Sequence, residues 1–244
     1  MSAYKIDIRR YNEYSILIEW PAKIDENILQ DILFFKKTLE SNIYKQKVEV
    51  IHAYNSILIV YDFTIDKFYD VKSTLFTLYE RNKVLQNQEV KLWEIPVCYD
   101  QTFGVDLESF SKAKALSVSE IIRRHTSAIY TVYFTGFLPG FLYLGGLDEK
   151  LHLDRKKSPS LSVKKGAVAI GGNQTGIYPQ DSPGGWHIIG NSPIELFDPH
   201  NSPPCQIQAG DKLKFKAVDL SEYDAIKNAI VSNSYTLTSS TYND

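Results

Sequence analysis

Residues 171–190 read GGNQTGIYPQDSPGGWHIIG, with six glycines and two prolines set around one tyrosine, one tryptophan and one histidine. Glycine reaches positive φ without a Cβ penalty and lets another group approach the backbone closely. Proline stops a central strand. Such a stretch makes short strands joined by tight turns. Its aromatic residues then have two roles open to them. They can fill a barrel whose corners the glycines turn, or they can wall a binding cleft whose floor is backbone. Spacing alone leaves both open.

The same grammar extends on either side. Eleven of the 13 glycines fall between Gly136 and Gly190, whereas the first 95 residues hold no glycine and a single proline, Pro21. That shift divides the chain near WEIPVCYD, residues 93–100, and predicts a small domain over 1–94 and a second over 95–232. The second domain carries short apolar runs bounded by Gly, Pro, Asn or Asp: 129–134, 140–146, 167–172, 176–179, 186–190, 193–197 and 212–218. Many short strands of this sort form a closed barrel or a sandwich. Ser117 and Glu120 stand at capping-box spacing before a helix over 117–125, and SEYDAIKNAIV (221–231) reads as a closing helix. The polar residues 233–244 read as a frayed, disordered tail.

The first domain alternates strands and helices. SILIEW (15–20) is a β-rich run that Pro21 ends, and 25–40 has apolar residues at helical spacing behind Asp25 as N-cap. KVEVIHAYNSILIVYDF (47–63) reads as a hairpin about Tyr54-Asn55-Ser56, and 66–82 as a second helix. With VKLWEIPV (90–97) closing the set, the order βαββαβ predicts a ferredoxin-like α+β domain with YKIDIRR as an extra leading strand.

Composition narrows the function. Net charge is −2, with 13 Lys/Arg against 14 Asp/Glu in residues 1–95 and 14 against 15 in the rest, so no basic face is offered to a phosphate backbone and nucleic acid is not expected. No segment approaches the roughly 20 apolar residues of a membrane span. The N-terminus MSAYKIDIRRYNEY has no apolar signal region. Cys98 and Cys205, far apart and without CxxC spacing, suit a reducing compartment. The expectation is a cytoplasmic protein.

The usual catalytic devices are missing: no GxxxxGK[ST] phosphate loop, no GxGxxG, no HExxH and no GxSxG. His152-Leu153-Asp154 is a weak chelating pair that reads as a solvated loop, and His52 as a strand histidine. Asp181-Ser182 near His187 contains the residue types of a hydrolytic triad, but Asp-Ser-Pro is also an ordinary turn. No metal site is expected from the sequence.

Three pieces carry a resemblance. GFLPGFLYLGGLD (136–148), AVAIGGNQTGIYPQDSPGGWHIIG (167–190) and PIELFDP (193–199) resemble the signature of the allophanate hydrolase subunit 1, or carboxyltransferase C/D, family, over about 95–199. The resemblance implies a cyclophilin-like β-barrel for the second domain. It also implies a B-type component of an ATP-dependent 5-oxoprolinase, hydrolysing 5-oxo-L-proline to L-glutamate and inactive by itself. The implied partners are a cyclophilin-like C subunit and a lactam-utilisation subunit, with ATP shared among subunits and Mg accompanying it. The same family implies two other roles: inhibition of a sensor histidine kinase, or carboxyl transfer beside a biotin-dependent carboxylase.

Carried over by position, the resemblance places Gly140, Phe141 and Tyr143 on one wall of a substrate cleft, Gln174, Thr175 and Tyr178 on a second, and Ser182 and Trp186 on a third. Arg155, Gln174, Ser182 and His125 are its candidates for catalysis. Arg155 is the residue best suited to grip a carboxylate, because a guanidinium can do so bidentately. The chain departs from the pattern at Leu142, where a proline is common, in the loop LDRKKSPS (153–160), and at Asn191, where an arginine is common. Two readings of that lost charge stay open: weaker binding of an anionic substrate, or drift at a rim position.

Overall fold

The structure, a computed structural model, describes residues 4–43, 48–81 and 89–242. Lys47, Asn82 and the tail residues 243–244, which the expected elements include, lie outside the described residues. The chain forms two compact units, Met1–Gln88 and Glu89–Asp244.

In the first unit, β1 (Asp7–Asn12), β2 (Ser15–Glu19), β3 (Val48–His52) and β4 (Ser56–Tyr61) make one antiparallel sheet in the order β1-β2-β4-β3. Alternation buries one face, so Ile16, Ile18, Ile57 and Ile59 meet Ile28, Ile32 and Phe35 of helix α1 (Glu26–Ile43) and Leu75 and Tyr79 of helix α2 (Phe68–Arg81). Asp25 caps α1 by accepting from the Asn27 and Ile28 amides at 2.9 and 3.4 Å. The hairpin turn forms where expected, Ala53 donating to the Ser56 carbonyl.

The ferredoxin-like closure expected from the sequence does not form. Its last strand, β5 (Lys91–Cys98), belongs to the second unit, and β1 takes the position beside β2 instead. The physical reason lies in β5 itself. It buries four successive residues, Ile95 to Cys98, as a strand covered on both faces must, whereas the first unit's sheet asks for alternation.

The second unit continues with helices α3 (Leu107–Lys114) and α4 (Val118–Ser127), then strands β6 (Tyr130–Thr135), β7 (Leu142–Gly145), β8 (Ser160–Val163), β9 (Ala167–Gly171), β10 (Gln174–Ile177), β11 (Ser182–Gly184), β12 (His187–Asn191) and β13 (Lys212–Val218). Helix α5 (Leu220–Val231) and β14 (Ser239–Thr241) end it. Seven strands close a barrel in the order β12-β9-β10-β7-β6-β13-β5, and the Asn191–Cys98 pairing brings β5 back to β12. All pairings are antiparallel except β5 with β13. Strands β8 and β11 form a separate two-stranded piece. Ser117 accepts from the Glu120 amide at 3.2 Å, as expected for the cap of α4, and Asp219 and Glu222 form a reciprocal capping box on α5.

Two stretches differ from the sequence reading. PIELF (193–197) is not a strand; Ile194 and Leu196 turn into the core from irregular backbone between Pro193 and Pro199. In the region read as a frayed tail, β14 pairs with β5, and Tyr235 and Leu237 pack against the barrel core. An unpaired strand edge is a row of unmet hydrogen-bonding groups, and even a polar segment such as SST satisfies them.

Candidate functional site

Strand β9 sorts the site into two sides. Val168 and Ile170 point into the barrel with Leu142, Leu144 and Ile177, while Ala167 and Ala169 point outward. Small residues on the outer wall leave room for large ones. Trp186 lies where a Cβ on Gly171 would sit, the Phe141 ring borders Gly176, and the Tyr178 hydroxyl end lies against Gly184. Phe141 is the hub, with ring centroids 5.1 Å from Tyr143, 5.5 Å from Tyr178 and 5.6 Å from Trp186, each edge-to-face. Phe141, Tyr178 and Trp186 are all buried, with Val163 of β8 beside them. These aromatics therefore do not fill the barrel: they are a packed plate on its outside. Cavities of about 460 and 360 Å³ in this unit lie elsewhere, beside Cys98, Asp100 and Asp219, and beside Glu195, Asp198 and Ile207.

Polar groups rim the plate. Arg155 is exposed and holds its guanidinium 5.8 Å above the Trp186 ring, and no ion pair joins it to another described residue. Burial pushes the Tyr178 hydroxyl above the usual tyrosine range, while the nearby Arg155 charge pulls it partway back. Gln174 and Tyr143 are half-buried. Ser182 donates to the Pro183 carbonyl at 3.2 Å.

The loop from β6 to β7 is built from two turns. Leu138, Pro139, Gly140 and Phe141 make a β-turn closed by the Phe141 amide on the Leu138 carbonyl at 3.0 Å, with Gly140 at φ +84 as a type II turn needs. Just before it, the Leu138 amide donates to the Gly136 carbonyl at 2.7 Å across Phe137, whose φ is +64. That is a γ-turn of the strained hand. A bulky residue held there costs about 1–3 kcal/mol and persists only where its surroundings enforce it. The Gly136 amide bonded to the Phe141 carbonyl, and Gly140 seated against Phe197, supply that enforcement.

Thr175 and His125 lie on the other side of the wall. His125 is fully buried, and each of its ring nitrogens has one partner. The Tyr99 hydroxyl meets Nδ1 at 2.6 Å, and Nε2 meets Thr175 Oγ1 at 2.9 Å. Thr175 donates onward to the Ala169 carbonyl at 3.0 Å, so its oxygen accepts from His125 and the ring proton sits on Nε2. Phe215 stacks on the imidazole at 4.4 Å. Burial pushes the His125 pKa down to about 3 and keeps the ring neutral. Neither residue faces solvent.

The triad residue types are not brought together. Asp181 pairs with Lys164 and the Lys165 amide, and His187 bonds the Asp154 carbonyl at 2.9 Å. His152 meets the Leu147 carbonyl, and among the described residues no group of three or more His, Cys, Asp or Glu is placed to hold a metal ion. Asn191 is buried away from the plate, accepting from the Tyr223 hydroxyl at 2.8 Å and donating to the Lys165 carbonyl at 3.0 Å. Tyr99 escaped the sequence reading, which takes Phe137 as one of the aromatics and misses its backbone strain. The Pro-Gly after Leu138 announces a turn but not the backbone sign of the residue ahead of it.

Comparison with known proteins places this architecture. The family model for the carboxyltransferase domain, subdomain C and D, matches residues 6–207. The chain belongs to that family. A relative in Bacillus subtilis, named as the B subunit of 5-oxoprolinase, is 34% identical over 238 residues, covering 91% of this chain and 97% of that one. The protein of the same name in Haemophilus influenzae is 40% identical over 195 residues, covering 80% and 89%. The crystal structure of Kluyveromyces lactis urea amidolyase superposes on 98% of this chain with a TM-score of 0.81 at 17% identity; this chain spans 16% of that longer one, so the likeness concerns the fold. The family match takes in both units, well beyond the motifs of 136–199. Among the described residues, no helix is long and apolar enough to cross a membrane.

Proposed function

We propose that this chain is the B component of a heteromeric, ATP-dependent 5-oxoprolinase. The observation that carries the reading is the near end-to-end match, 97% of the Bacillus subtilis protein's length, to a relative of that name. The reaction adds one water across a lactam: the water oxygen bonds the carbonyl carbon, the C–N bond breaks, and the nitrogen leaves protonated.

The geometry supports a positioning role in that reaction. Ser182 and His187 have other partners, so no nucleophile–base pair is offered. What the outer face of the barrel, the cyclophilin-like domain of this reading, offers is a rigid aromatic plate with an exposed guanidinium above it. Arg155 would hold the substrate carboxylate, and Gln174 and Ser182 would hydrogen-bond the lactam. Phe141, Tyr143, Tyr178 and Trp186 would form the floor beneath it, and Gly140 would set the turn that carries Phe141. Thr175 and His125 would hold β10 from inside.

Two cavities of the second unit are ill suited to ATP. The one beside Glu195 and Asp198 and the one beside Asp100 and Asp219 present carboxylates and no Lys or Arg, the reverse of what a polyphosphate requires. In this reading the nucleotide, with any Mg, is shared with partner subunits, a C subunit and a lactam-utilisation subunit. A protein of this kind acts in the cytoplasm.

Reconstitution tests the reading. The three subunits are combined with 5-oxoproline, and glutamate release is followed with and without ATP and with this chain left out. Release that requires both ATP and this chain supports the assignment. A stable three-subunit complex that releases no glutamate sinks it.

A further inference from the structure

Among the described residues of the barrel's outer face, Phe137 combines a strained backbone with a side chain given to solvent. At φ +64 the ring is 62% exposed, and the ring beside it is that of Phe141, at 5.6 Å and perpendicular. A buried side chain can offset strain by packing, but this one recovers little. The exposed Arg155 stands at the other edge of the same plate, since Phe141 contacts both Phe137 and Trp186 and Arg155 lies over Trp186. Lys157 lies two residues on, also exposed; with exposed Asp154 before Arg155 and Lys156 paired to Asp106, the loop keeps a net positive charge. The cavities beside Glu195 and beside Asp100 lie away from the plate, which raises an aromatic and a cation above the outer face.

We infer that Phe137 and Arg155 are paired anchors for a partner protein, one that offers an apolar recess for the ring and a carboxylate beside it for the guanidinium. Exposed aromatic and arginine side chains on a rigid base are the residues that dominate interface energetics. The doubly closed loop preorganises Phe137, so that little freedom is lost on docking. The charge sets the partner's sign: the face of the second protein that meets this plate is acidic beside its apolar centre. This inference rests on the heteromeric reading above and gives Arg155 to a partner's carboxylate in place of the substrate's.

The test uses the full chain against the other two 5-oxoprolinase subunits of the same organism, with affinity read by interferometry. Phe137→Gly removes the ring and also the strain, because glycine takes this φ freely. Its Tm is expected at or above the wild-type value while affinity falls roughly tenfold or more. Arg155→Glu, exposed and unable to disturb the core, is expected to weaken binding with an unchanged Tm, and Phe137→Trp to keep it. Wild-type affinity in Phe137→Gly or in Arg155→Glu overturns the inference and leaves the assignment to a 5-oxoprolinase standing, even if KM for 5-oxoproline rises. Failure of the wild-type chain to bind either subunit overturns both.

Discussion

Gln174 and Thr175 are neighbours in one strand, yet they belong to opposite sides of the barrel wall. On the inner side the polar groups are partnered: Tyr99, His125 and Thr175 hand hydrogen bonds in series to the Ala169 carbonyl, with Phe215 closing the stack. On the outer side, the large rings rest on Ala and Gly, and the polar groups stand at the rim, Arg155 with no carboxylate of a described residue paired to it. The inner side has the character of a fold determinant. The outer side has the character of a surface kept ready for something else. Adjacent letters in the motif thus serve different ends, and the motif contributes to both faces of one wall.

The comparison breaks first at His125. His125→Ala opens space beneath Phe215 and strands the buried Tyr99 hydroxyl, so a loss of about 3 kcal/mol or more is expected in denaturant unfolding. The pH dependence carries the sign. With the folded pKa near 3 and an unfolded value near 6.5, the unfolded chain takes up a proton that the native chain refuses. The stability contributed by neutral His125 is complete above about pH 6.5 and declines as pH falls toward 3, by up to about 1.4 kcal/mol per pH unit. His125→Gln should flatten that part of the profile. An unchanged profile would mean that the imidazole reaches water and that the inner side is not sealed.

On the outer side the matching change is Gly171→Ala. An added Cβ would stand 2.4 Å from the Trp186 ring, so the indole must move or the strand must. Overpacking of this kind costs about 1–3 kcal/mol. A drop in Tm together with a red shift of tryptophan emission is expected as Trp186 is lifted toward solvent. A variant as stable as the wild type, with unshifted emission, would show that the plate is looser than its ring geometry implies and could open into a cleft.

How far the sequence reaches follows from the same two-sidedness. Local chemistry was legible: Asp25 and Ser117 cap the helices they precede, the Tyr54-Asn55-Ser56 turn joins the expected hairpin, and the short runs between glycines become the strands of a closed sheet. What stayed hidden depends on a second segment. VKLWEIPV is a strand in either unit, and only its partners, β13 and β12, decide which. Period-two alternation separates Gln174 from Thr175 without saying which faces the core. It also hides that Ala167, Ala169 and Gly171 are small because rings lie on them. Asn191 shows the same limit: the motif makes it a substituted arginine of the cleft, while the fold buries it against Tyr223. Helix α3 was unforeseen because its buried apolar residues are few, Leu107 and Phe110, too few to show a period.

Arg155 gives the smallest effect on the fold and the sharpest reading of the outer face. Its guanidinium touches the Trp186 ring and stays exposed, so Arg155→Ala should leave the Tm at its wild-type value. If the plate serves only to hold the barrel together, glutamate release by the assembled subunits should be equally untouched. If the outer face works on something beyond the chain, release must fall, and the kinetic split says what that something is. A raised KM for 5-oxoproline with partner affinity intact marks a carboxylate grip. Weakened assembly with KM intact marks a docking contact, the outcome the exposed Phe137 beside it favours. Arg155→Lys separates the two further, because a lysine keeps the charge but not the planar fork, and a bidentate grip on a carboxylate should suffer more from that change than a contact that needs only positive charge.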